Sequence, residues 1–103
     1  MDVSKYGFTQ NQLNELIKFI EMVQNGNKIG SKYRIDAVQF YRDRANNILI
    51  SYVYHDVSQG VVMSSLGYKE IDAEGNMIDL TKVYSSVDGI VSKLEKCEEI
   101  KID

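Results

Sequence analysis

Proline is absent from this 103-residue chain, cysteine and histidine occur once each, and every arginine falls within one short stretch, KYRIDAVQFYRDR. The missing proline has an ordinary explanation in base composition, and no function is read from it. A single cysteine, Cys97, excludes an internal disulfide and agrees with a reducing compartment. One Cys and one His also exclude a zinc site of the ordinary Cys/His type within one chain. No apolar run approaches the roughly 18 residues that a membrane-crossing helix needs. The N-terminus MDVSKYGFTQ lacks the basic and then apolar regions of a signal peptide. The expected location is therefore cytoplasmic, with no membrane contact. No RNP-like, helix-turn-helix or glycine-rich phosphate-binding motif is present.

What remains has the composition of an ordinary folded protein, 44% hydrophobic and 26% charged, and its length suits a single domain spanning residues 1–103. The net charge of −3 conceals a polarised distribution. From Ala45 onward five lysines face ten acidic residues, whereas Lys28 to Arg44 holds five basic residues and two acidic ones. One basic segment thus sits on an acidic body.

Hydrophobic periodicity predicts a helix from about Gln10 to Asn25, with Leu13, Leu16, Ile17, Ile20 and Val23 on its apolar face. Thr9 and Gln12 have the spacing of a capping box, and Phe8 and Leu13 that of a hydrophobic staple. From Tyr33 the pattern becomes β: YRIDAVQFYRD, ILISYVYHDV, VVMSSLGYKEI and a short MIDL. DAEGN, with Gly75 available for a positive φ, is a hairpin loop. A second helix follows, capped by Ser85 or Ser86 and apolar at Val87, Ile90, Val91 and Leu94; the tail EEIKID frays or adds a short edge strand. The fold class is α+β in the order α-β-β-β-β-α, a four-stranded antiparallel meander with two helices packed on one face.

If Asn46 and Asn47 form a two-residue turn, Tyr41 lies opposite Tyr52, Gln39 opposite Tyr54, Arg42 opposite Ser51 and Phe40 opposite Val53. Alternation then sends Arg34, Arg42 and Arg44 to one face with Val38 and Phe40, and Tyr33, Ile35, Ala37, Tyr41, Ile48, Ile50, Tyr52 and Tyr54 to the other, the expected core. A loop longer by one residue reverses this assignment. Arg34, Arg42 and Arg44 around Val38, Phe40 and Val53 form the candidate partner-binding surface, because interface centres favour arginine and aromatic groups. The competing explanation is that these arginines pair with nearby acids and merely solvate the sheet.

Chemistry-bearing patterns are sparse. His55 adjoins Asp56, but adjacent strand residues point to opposite faces, so the two do not form a catalytic pair with Ser51 or Ser58. DAEGNMID lacks the full ligand run and closing glutamate of a calcium loop. Glu98 and Glu99 lie on a solvated tail without a pocket. Cys97 extends an apolar stripe as a small core hydrophobe. No catalytic residue, metal or cofactor is expected.

In size, charge and element order the chain resembles small accessory proteins of bacteria and their phages, a group that includes toxin-immunity proteins and inhibitors of host defence. That resemblance implies a non-enzymatic protein that occludes its target, with the acidic residues Glu95, Glu98 and Glu99 as an alternative contact surface. The partner is another protein or a second copy in a homodimer. The alternative function is single-stranded nucleic-acid binding by the Arg- and Tyr-bearing strand 32–44.

Overall fold

A computed structural model describes residues 3–28, 33–56 and 60–102. After a 3-10 turn at Ser4–Tyr6, helix α1 (Gln10–Lys28) precedes strands β1 (Tyr33–Arg42), β2 (Ile48–Asp56), β3 (Met63–Ile71) and β4 (Met77–Asp79). Helices α2 (Leu80–Val83) and α3 (Val87–Glu95) and strand β5 (Glu98–Ile100) complete the domain. The expected α+β architecture is present, although the antiparallel sheet has five strands rather than four, in the order β4-β3-β2-β1-β5. The tail supplies the fifth. None of the described helices is long and apolar enough to cross a membrane.

The start of α1 shows how the sequence directs the fold. Thr9 Oγ1 accepts the Gln12 amide at 3.2 Å, and Gln12 Oε1 accepts the Thr9 amide at 2.9 Å, completing the capping box. Gln12 is fully buried, and its Nε2 donates to the carbonyls of Asn46 and Ile71 at 2.9 and 3.3 Å. A cap residue therefore also ties the helix to the β1–β2 loop and to the end of β3. The helix runs past Gly26 to Lys28.

The β1–β2 register differs from the two-residue-turn expectation. Phe40 pairs with Ile50, Tyr41 with Leu49 and Arg42 with Ile48, across a five-residue loop from Asp43 to Asn47. Asp43 Oδ1 accepts the amides of Ala45 and Asn47 at 3.0 and 2.8 Å, and Asn46 adopts a left-handed φ of 64°. Asp72 to Asn76 repeats the design: Asp72 Oδ1 accepts the amides of Glu74 and Asn76, and Gly75 takes φ 87°. An aspartate that binds its own loop closes both hairpins.

A second departure lies within β1. Between Asp36 and Gln39 the register shifts at a bulge, where Ala37 has φ 52°. A bulge inserts one residue and so reverses which side chains face which side. Beyond it, Asp36 pairs with Val53 and Arg34 with His55.

Burial follows this two-phase strand. Ile48, Ile50 and Ile71 pack with Leu16 and Phe19 of α1, joined by Val38, Phe40 and Tyr52. Leu49 and Tyr68 pack on the opposite face with Leu80 and Ile90, joined by Tyr41, Leu94 and Cys97. Helix-on-sheet packing is as expected, but the helices are divided between the faces: α1 covers one, and α2 and α3 cover part of the other. The physical reason is the central run Ile48-Leu49-Ile50, buried on both sides instead of alternating.

Candidate functional site, an open half of the sheet face

The structure separates the three arginines. Arg42 lies on the α1 side, its Nη1 donating to the Tyr6 carbonyl at 3.3 Å, its guanidinium 5.2 Å from the Tyr6 ring centroid, and its Nη2 bonded to Glu98. It clamps the N-terminal turn to the sheet. Arg44 is exposed in the β1–β2 loop and lines, with Arg42 and Lys96, a cleft of about 340 Å³ that also contains Asp43 and Glu98. Arg34 stands near the far end of β1, on the opposite face from Arg42 because of the bulge.

Val38 and Phe40 are also absent from the arginine-bearing surface that the two-residue turn would create. They pack beneath α1 and, with Phe19, Ile20, Val23 and Ile102, line an apolar groove of about 220 Å³. Val53 is on the other face, opposite Leu66 rather than Phe40. Of the acidic alternatives, Glu98 pairs with Arg42, Glu99 binds Lys101 at 3.3 Å, and Glu95 is exposed at the end of α3. The cations beside Glu98 and Glu99 offset the charge of that surface.

Arg34 and Val53 do share a surface. α3 ends at Glu95, and beyond it the face built by β1, β2 and β3 continues in cross-strand rows. Nearest the helix are Gln39, Ser51 and Tyr68; next come Asp36, Val53 and Leu66; outermost are Arg34, His55 and Ser64. Leu66 is 55% exposed on the β3 side of this area. Gln39, Ser51, Val53, Leu66 and Tyr68, with Leu94, line a shallow cleft of about 270 Å³. The apolar pair is thus flanked by Gln39 and Ser51 on the helix side and by Arg34, His55 and Ser64 on the other, with Asp36 beside it.

The outer row holds a contact that adjacent-residue reasoning missed. His55 Nε2 lies 3.1 Å from Asp36 Oδ2, and its Nδ1 lies 2.7 Å from Ser64 Oγ. His55 is therefore partnered across strands, while Ser58 lies outside the described residues. The arrangement has the members of a nucleophilic triad, but acyl transfer also needs amide donors aimed at an oxyanion and a pocket for the substrate. Ser64 sits within the regular β2–β3 ladder, opposite His55. The contacts hold these groups in fixed geometry. Cross-strand spacing could have revealed it only once the loop length and bulge were known.

Cys97 is half-buried and donates to the Lys93 carbonyl at 3.3 Å; burial foremost, with Asp43 contributing, pushes its thiol pKa up. It is not poised as a nucleophile. Behind the open face, Tyr52 lies over Gly67, where a Cβ would stand 2.2 Å from the ring, and burial followed by the Asp79 charge raises its hydroxyl pKa. No protein-family model, curated protein or solved structure matches the chain.

Proposed function

We propose that the chain is a non-enzymatic protein-binding domain that occludes a surface of its target, as immunity proteins and anti-defence inhibitors of bacteria and phages do. Its contact surface is the open half-face bearing Arg34, Gln39, Val53 and Leu66. The observation that supports this most is Leu66, 55% exposed beside the partly buried Val53 where α3 stops. A water-facing apolar group with polar and charged neighbours has the composition of a recognition surface.

Arg42 is engaged by Tyr6 and Glu98, and Asp36 and Asp43 stand close in sequence to Arg34 and Arg44, so the three arginines form no unbroken basic track. The protein-binding reading is therefore preferred to nucleic-acid binding. Affinity capture from source cells, comparing the native chain with Arg34→Glu/Leu66→Asp, tests it: a specific protein should be lost with the variant. Salt-sensitive binding of a labelled single-stranded oligonucleotide, abolished by substituting the arginines, would instead support the nucleic-acid reading. Hydrolysis of a chromogenic ester that disappears in Ser64→Ala would overturn the non-enzymatic assignment.

A further inference from the structure

The sheet has one edge that lacks the usual protection against pairing with another chain. β4 pairs with β3 only from Lys69 to Ile71, because Asp79 caps α2 and the chain turns away. Among the described residues, no strand lies beside Met63 to Tyr68 on that side. Val61, Val62, Met63 and Leu66 are 59, 66, 62 and 55% exposed. The stretch VVMSSLGY contains neither proline nor any charged side chain.

Natural edge strands are blunted by charges, bulges, proline or short length. The other edges of this sheet carry such devices. β5 is three residues long with Glu98 and Glu99 in it, β4 is equally short, and the part of β1 beyond β5 has the Ala37 bulge with Arg34 and Asp36 beside it. The unblunted edge of β3 is the exception.

We infer that β3 is a homodimer edge, pairing antiparallel with β3 of a second copy about a two-fold axis near Ser65 to join the two sheets into one. The occupant follows from what the edge demands: an extended strand with a free edge of its own, uncharged and apolar at several positions. β3 meets each requirement. In an isologous contact every residue from Val61 to Tyr68 faces another from the same set, so no like charges are opposed. Leu66 and Ser64 belong to both the edge and the open face, whereas Arg34, Gln39 and Val53 lie on β1 and β2, away from the edge, and stay available to a target in the dimer.

Light scattering of the full chain across a concentration series tests the inference. The native protein should approach twice the 11.8 kDa chain mass as concentration rises. Met63→Lys/Ser65→Lys, which places charges on the edge, should stay at the single-chain mass with an unchanged circular dichroism spectrum. A native chain that remains monomeric throughout, or a folded variant that still dimerises, overturns the inference. If the variant does not fold, amide exchange of the native chain decides. Protection of residues 63–66 that grows with concentration supports the edge pairing, and protection independent of concentration overturns it. Either failure leaves target capture by the open face untouched, so the two claims are separable.

Discussion

Gln12 shows how much one side chain can organise. Its amide closes the capping box and satisfies the carbonyls of Asn46 and Ile71 at a fully buried position. Gln12→Leu should cost about 1–3 kcal/mol in denaturant unfolding, because it leaves buried carbonyl groups without a donor. Gly75 is constrained differently. Its φ is 87°, and a Cβ there would meet the Asn11 carbonyl oxygen at 2.9 Å. Gly75→Ala should therefore lose about 1–2 kcal/mol from the left-handed backbone alone, plus the clash. The carboxylates of Asp72 and Asp79 are held below the ordinary range, Asp72 first by the Asn76 amide and Asp79 first by the Thr81 hydroxyl. Stability from a lowered carboxylate pKa is present above about pH 4 and lost as pH falls through the folded value. An acid titration of unfolding should thus show a shallower decline below pH 4 for Asp72→Asn than for the native chain.

Among elements, the hairpin loops show what was legible in the sequence and what was not. DAEGN announces itself through its glycine. DRANN has the same aspartate and the same closing asparagine four residues later, but an asparagine holds the left-handed position, so Asn46-Asn47 looks like a two-residue turn. Comparing the loops would have shown the shared Asp-x-x-x-Asn pattern and the five-residue length. The bulge at Ala37 leaves no such trace, since alanine does not favour a positive φ. The loop length moves Val38, Phe40 and Arg42 to the α1 face, and the bulge returns Arg34 to the face of Val53. The α1 cap, the helix identities and the strand-rich centre were legible because capping chemistry and apolar periodicity are local. Division of the helices between two faces was not, because it depends on Leu49 being buried opposite Ile48 and Ile50. Phe40→Asp therefore tests packing rather than association. Phe40 contacts both the α1 cluster and the Val3, Tyr6 and Ile100 cluster, so the variant should unfold several kcal/mol more easily, read by thermal melting.

At the scale of the whole molecule, a short α3 against long central strands creates both surfaces to which a role is assigned. The helix covers the sheet only as far as Leu94 and Cys97, so Leu66 and the outer row of Arg34, His55 and Ser64 remain open, while β4 ends early enough to free the edge of β3. The concentration of arginine in one segment is resolved by position: Arg42 fastens the N-terminal turn, Arg44 occupies a loop, and Arg34 alone reaches the open face. The most direct test of that face is photo-crosslinking in source cells, with a benzophenone amino acid at position 66 and, as control, at the exposed position 18 on α1. An adduct with a distinct protein, formed from position 66 and not from position 18, is the expected result. Adducts that are absent from position 66, or the same from both positions, would contradict the assignment of the open face as the contact surface.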